Sequence, residues 1–396
     1  MKFQKRILKN GITVMQESRD LPIVSLSIAN KFGAAYETSY VKGIAHFIEH
    51  LVFTGTKTRT HEQISAEIEK RGGILNAFTT HDMTGFWFKL PSEHLFSGLD
   101  ILTDMLNNPT FNQEKFEKEK RVILEEIKMY HDNPQKHVFE KIEENLYKKP
   151  FGEGVIGSEK TVSRFNREFV ANYFKKVYNP SNYIVTIVGS ADFEKICEYL
   201  EENFKPKKTS ILMPKITKQI SHTMEERPGI DQAHFVFGMH APLATEKLCY
   251  ALEVLDAYLA NGMSSRLFLK IREEKGLAYN IKGSTSTEKN YSYYTIYIGT
   301  TKSALPEVKK IILEEFANVK NLTQKQLEES KERLIGLRKI SSEESINVMS
   351  ELTFAELVTK AEEYYEHEKK IKSVSIEDVK SLAQIKEYST AAIVPK

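Results

Sequence analysis

"EIEKRGGILNAFTTHDMTGFWFKL", residues 67–90, holds the end of a helix, a Gly-Gly stop and two strands joined by a tight turn. Thr60 stands where an N-cap belongs, and Gly72–Gly73 can leave the helical region, so "THEQISAEIEKRGG" reads as one short helix. "ILNAFTTH" and "TGFWFKL" then carry the β-branched and aromatic residues of strands. The same order returns in "KIREEKGLAYNIKGSTSTEKNYSYYTIYIG", residues 270–299. A second pair agrees: "NPTFNQEKFEKEKRVILEEI" (108–127) and "VKNLTQKQLEESKERLIGLRKI" (319–340). Two matched segments in one order imply a duplication. The expected fold is α+β, two homologous domains, each a mostly antiparallel β-sheet packed with helices.

The boundaries follow from composition. "KPKKTSILMPKITKQISH" (205–222) is basic, twice interrupted by proline and weakly periodic, which suits a linker. It separates an N-terminal domain, 1–210, from a C-terminal one, 223–396. The balance of 56 Lys+Arg against 54 Asp+Glu gives no reason to expect nucleic acid or an anionic membrane as partner. No run approaches the roughly 18–20 apolar residues of a membrane span, and "MKFQKRILKNGITVMQE" lacks the apolar core of a signal peptide. Cys197 and Cys249 sit in apolar segments without CxxC spacing, as reduced thiols of a cytoplasmic protein would.

"GIAHFIEHLVF" (43–53) is the stretch with chemistry in it. On a helix, His46 and His50 are one turn apart on one side, with Glu49 next to His50. H-x-x-E-H is the reverse of the common zinc signature and is the inverzincin motif. The spacing alone leaves a second reading open, a half-buried helix with Ile44, Ile48, Leu51 and Val52 in the core and satisfied histidines beside them. "TEKLCYALEVL" (245–255), the matching segment of the second half, has no histidine, so a metal site belongs to the first domain only.

A catalytic zinc takes three protein ligands and leaves one position open. "EKFEKEKRVILEEIKMY" (114–130) supplies the third. As a helix it puts Lys118, Arg121, Glu125 and Lys128 on a solvated stripe, and Glu119, Ile123, Glu126 and Tyr130 on a more apolar face. An inward carboxylate is costly unless paired or metal-bound. Glu126 is therefore the candidate ligand, and Glu119, two turns away, can orient a ligand or substrate. Two imidazoles and a carboxylate favour zinc, one per chain, though manganese or cobalt accepts the same donors.

His46-x-x-Glu49-His50 with Glu126 in "EKRVILEEIKMY" resembles the pitrilysin and insulysin family of zinc peptidases, in its mitochondrial-processing-peptidase-like branch of half-length chains. "GAAYET", "KGIAHFIEHLVFTGT", "GGILNAFTTHDMT" and "YNPSNYIVTIVG" agree with the family's pattern, and the likeness covers most of both halves. The resemblance implies a metalloendopeptidase with Glu49 as general base. It implies that Arg272 and Tyr279, seven apart in "SSRLFLKIREEKGLAYNIKG", contact the substrate, and that Asn76, Ala77, Phe78 and Thr79 hold a peptide by edge-strand addition. Longer members carry four such domains, so two here imply a homodimer whose partner's second domain completes the site. The competing expectations are a non-catalytic peptide-binding or assembly subunit, which in the family loses metal-motif residues, and an active subunit paired with a degenerate partner. Of the other histidines, His61, His94, His131 and His137 read as exposed, and His81 is near enough to the Asn76 strand to line the cleft.

Overall fold

The computed structural model describes residues 2–207 and 211–396; positions 208–210 of the expected linker lie outside the described residues. The chain forms two compact units. One comprises Met1–Lys128, Glu153–Lys215 and Ser342–Leu357, the other Met129–Gly152, Ile216–Ser341 and Val358–Lys396. The chain thus passes between them several times, the first unit taking back a helical segment near the C-terminus.

In the first unit the strands are β1 (Lys2–Ile7), β2 (Thr13–Ser18), β3 (Ile23–Asn30), β4 (Ile74–Thr79), β5 (Thr84–Pro91) and β6 (Tyr183–Gly189). They form a sheet of order β1-β2-β6-β3-β5-β4, in which only β2–β6 is parallel. In the second unit β7 (His222–Arg227), β8 (Ala233–His240), β9 (Ala278–Thr287), β10 (Ser292–Thr300) and β11 (Ser389–Pro395) take the order β7-β11-β8-β10-β9. Here only β7–β11 is parallel. Setting β7, β11, β8, β10, β9 against β2, β6, β3, β5, β4 matches every neighbour and every strand direction. The two units share one topology, with β1 added to the first.

Four helices position the site: α1 (Ile44–Val52), α2 (His61–Glu69), α3 (Leu95–Asn107) and α4 (Gln113–Asp132). α1 buries Ile44, Phe47, Ile48 and Leu51, an i, i+3, i+4, i+7 stripe, without measurable exposure. His46, Glu49 and His50 are left on its other side. α2 begins at a capping box in which Thr60 and Gln63 satisfy each other's backbone N–H groups. α1 starts differently. Gly43 sits at φ +91°, and a Cβ there would stand 2.6 Å from the Ile156 carbonyl oxygen and 2.8 Å from the Gly157 Cα. The glycine-rich loop "FGEGVIGS" thus lets two backbones touch where the helix begins. Among the described residues no helix is long and apolar enough to cross a membrane.

Candidate active site

α1 and α4 bring three ligand atoms together. His46 Nε2 lies 3.6 Å and His50 Nε2 3.5 Å from the same Glu126 oxygen, Oε2. The imidazole centroids are 4.7 Å apart. Donors about 2.0–2.1 Å from a tetrahedral zinc are about 3.4 Å from one another, so these separations are those of a zinc ligand set. The donor types fit as well: two imidazoles and a carboxylate, with His46 buried and His50 and Glu126 half-buried. Glu119, two turns before Glu126 on α4, places Oε2 3.4 Å from His50 Nδ1. That is the carboxylate–histidine arrangement that fixes a ligand ring and raises its basicity. His46 Nδ1 has no such partner among the described residues.

The electrostatics separate the two histidines. Burial, then the neighbouring His50, drives the His46 imidazole down to about 4. Burial pulls His50 the same way, but Glu119 and Glu126 outweigh it and lift the group to about 9. The metal-free cluster therefore holds one proton at neutral pH, on His50, and leaves His46 neutral.

Glu49 is not part of this ligand triangle. Its carboxylate accepts the hydroxyl hydrogen of Thr79, the last residue of β4. Burial raises the Glu49 carboxyl above its ordinary range, against the opposing pull of that hydroxyl. A half-buried carboxylate raised in this way is equipped to take a proton from water. A pocket of about 270 Å³ adjoins it, lined by Glu49, His50 and Glu119 together with Phe53, Lys115 and Lys118. A cavity of about 950 Å³ in the same unit lies around Arg59, Asp104 and Tyr178 and includes none of the site residues.

β4 is an edge strand, hydrogen-bonded to β5 on one side only. At the turn, Thr80 donates to the Met83 carbonyl at 2.8 Å. Alternation from that bond turns the N–H and C=O groups of Thr79 (opposite Thr84) and Ala77 (opposite Phe86) away from β5. These outward groups are what an added strand would use. The Asn76 side chain, however, folds back, its Oδ1 accepting the Ala77 N–H at 2.8 Å.

Arg272 and Tyr279 lie in the second unit. The Arg272 guanidinium sits 4.8 Å from the Phe268 ring centre and 4.7 Å from that of Tyr279. Tyr279 is 77% exposed on β9, itself an edge strand. The structure thus brings Arg272 and Tyr279 to each other and brings His46, Glu49, His50, Glu119, Glu126 and Thr79 to one another.

One histidine expectation is corrected. His137 is buried rather than exposed, with Nε2 3.0 Å from Glu225 and Nδ1 3.4 Å from Glu140. His131 stays exposed beside it, and Arg227 lies 2.8 Å from Glu225. His81 is buried, at 7% exposure. The sequence reading passed over the Thr79–Glu49 bond, which depends on β4 lying beside α1. It also passed over Glu37, whose only signal was a helix beginning at glycine with no Ser, Thr, Asp or Asn to cap it.

Comparison with known proteins adds to this geometry. The family model for insulinase (peptidase family M16) matches residues 13–159, and that for the peptidase M16 inactive domain matches 164–334. A Bacillus subtilis protein described as an uncharacterized zinc protease, YmxG, is 32% identical over 400 residues, 98% of this chain and 97% of its own. A Rickettsia felis protein, likewise described as an uncharacterized zinc protease, is 35% identical over 304 residues, 75% of this chain and 73% of its own. Among solved structures, a protease from Helicobacter pylori superposes with a TM-score of 0.93 at 20% identity, covering 100% of this chain and 99% of that one. A putative M16-like peptidase from Alicyclobacillus acidocaldarius gives 0.87 at 20% identity, over 100% and 98%. At such identities the structural likeness speaks for the fold.

Proposed function

Because the chain belongs to peptidase family M16, we propose that it is a zinc-dependent endopeptidase that cuts short or unfolded peptides laid as an added strand along β4. The observation that carries this reading is the ligand triangle of His46, His50 and Glu126, with separations of 3.5–3.6 Å to one carboxylate oxygen. Held by these three residues, one zinc per chain supplies Lewis acidity, lowering the pKa of water toward 7 and polarising the scissile carbonyl.

The protein's own groups do the rest. Glu49 takes the proton of the attacking water and returns it to the leaving amine. Thr79 aims Glu49, and Glu119 holds the His50 ring through Nδ1. The outward N–H and C=O groups of Ala77 and Thr79 pair with the substrate backbone, which selects an extended chain and tolerates varied side chains. Arg272 and Tyr279, contributed by the second subunit of a homodimer, donate to the oxygen on which negative charge develops. Two buried free thiols, Cys197 and Cys249, suit a reducing cytoplasm.

The test is incubation with a long unstructured peptide and mass spectrometry of the products, with Glu49→Gln alongside. Internal cuts that vanish in the variant support the reading. No cuts by zinc-loaded wild type favour a non-catalytic peptide-binding or assembly subunit, or a requirement for a degenerate partner. Solution size with and without peptide separates those assemblies.

A further inference from the structure

α1 begins at Gly43, which has no side chain to cap it, and the cap comes from six residues upstream. The Glu37 carboxylate accepts the Gly43 N–H at 2.9 Å through Oε2 and the Ala45 N–H at 2.7 Å through Oε1. Negative charge at the start of a helix meets both its unsatisfied donors and its dipole. Glu37 is fully buried, and Lys42 is at 1% exposure. The Lys42 ammonium donates to the Ala34 carbonyl at 2.8 Å and acts electrostatically on Glu37. Burial lifts the Glu37 carboxyl to about 7, against the opposing pull of Lys42 and the helix amides, and its two hydrogen bonds tie the 34–42 loop to the first turn of α1.

The same loop is fastened at its other end to the turn that follows β4. Ala34 donates its N–H to the Thr80 carbonyl at 3.0 Å, and Ala35 to that of His81 at 2.7 Å. Thr80 follows Thr79, which bonds back to Glu49 on α1. The contacts close a ring: the start of α1, the Glu37 and Lys42 charges, the loop, the end of β4, and Glu49.

We propose that Glu37 and Lys42 are positioning residues, holding the helix that carries His46, Glu49 and His50 in register with the strand whose Thr79 aims Glu49. The proposal deepens the peptidase reading and rests on it. Neither residue touches substrate or metal. Their effect is on alignment, where a misplacement of about 1 Å is enough to lower a rate about a hundredfold. Removing Glu37 leaves the buried Lys42 ammonium uncompensated, and removing Lys42 takes away a group that holds the Glu37 carboxyl down and so weakens it as an acceptor, so single replacements do more harm than the joint one.

The experiment compares zinc-loaded wild type with Glu37→Gln, Lys42→Met, the pair of substitutions together, and Asn10→Ala as a control. Asn10 is buried and bonds the Leu200 and Phe204 carbonyls, away from α1. All are assayed well below their melting temperatures, with zinc affinity read by chelator competition, which needs no turnover. Each single variant is expected to weaken zinc binding about tenfold and to lower kcat about 10–100-fold with KM within about threefold. The paired variant is expected to recover most of both losses, while Asn10→Ala lowers only the melting temperature. Zinc affinity and kcat in the single variants equal to wild type overturn the proposal, as does an equal loss in Asn10→Ala. A single variant that does not fold leaves the decision to the paired variant, whose zinc affinity must then lie within about threefold of wild type for the proposal to stand. A wild type that cuts no peptide counts against this chain acting as a peptidase by itself, while the zinc series still decides whether the two residues position the ligands.

Discussion

Thr79, at the end of the edge strand β4, donates its hydroxyl hydrogen to Glu49 on α1. The strand proposed to hold the substrate and the carboxylate proposed to move the proton are therefore joined by one bond. Thr79→Val removes it while keeping the shape. With the hydroxyl's lowering effect gone, the Glu49 carboxyl rises further. The acidic limb of the kcat/KM profile is expected to move to higher pH, and kcat to fall about tenfold, with zinc content unchanged. A pH–rate profile beside metal analysis checks this; an unmoved limb contradicts it.

Zinc binding should release protons. His50, lifted to about 9 in the metal-free cluster, must lose its proton to become a ligand, whereas His46 is already neutral. Between pH 6 and 9 the apparent zinc affinity is expected to rise about tenfold per pH unit, with roughly one proton released per ion near neutrality. Calorimetry in two buffers of different ionisation enthalpy measures it. Glu119→Gln lowers the His50 pKa, so it reduces the proton count and weakens zinc binding about 10–100-fold.

Removing the metal should loosen α1 from α4, since His46 and His50 come from one helix and Glu126 from the other. A chelator is expected to abolish peptide cutting, and added zinc to restore it. At a free zinc concentration a thousandfold above Kd, the ion contributes about 4 kcal/mol to stability. The melting temperature of the chelated protein should fall accordingly, and that of His50→Ala should no longer respond to zinc.

Gly43→Ala tests the start of α1 from the backbone side. The residue sits at φ +91°, with the Ile156 carbonyl oxygen 2.6 Å from where a Cβ would stand. A loss of about 2 kcal/mol or more in urea unfolding is expected. Gly72→Ala is the contrast: its φ is +71°, but nothing lies within 4 Å of its Cβ position, so it should lose about half as much.

Much of this was readable beforehand where the relation is local. The three-and-four spacing of Ile44, Phe47, Ile48 and Leu51 buries one side of α1 and so assigns His46, Glu49 and His50 to the other. The i+7 step from Glu119 to Glu126 puts both on one side of α4. The matched segments 67–90 and 270–299 announced the shared topology of the two sheets. What stayed hidden is non-local. β6 enters the sheet between β2 and β3 from far along the chain, and no period in the sequence marks that insertion. His137 lies in a polar stretch, yet Glu140 and Glu225 from separate elements enclose it. Glu37 has the look of an ordinary surface glutamate until the amides of Gly43 and Ala45 are placed against it.

The back-folded Asn76 side chain bears on how this protein survives at high concentration. An edge strand with bare outward amides invites other chains, and edge-to-edge association is the usual path to aggregates. By occupying the Ala77 N–H itself, Asn76 covers one of the outward amides of this edge, which a peptide must displace, at a modest penalty in affinity. Asn76→Ala should therefore bind peptide more tightly and remain soluble less well, as one change acting through a single hydrogen bond.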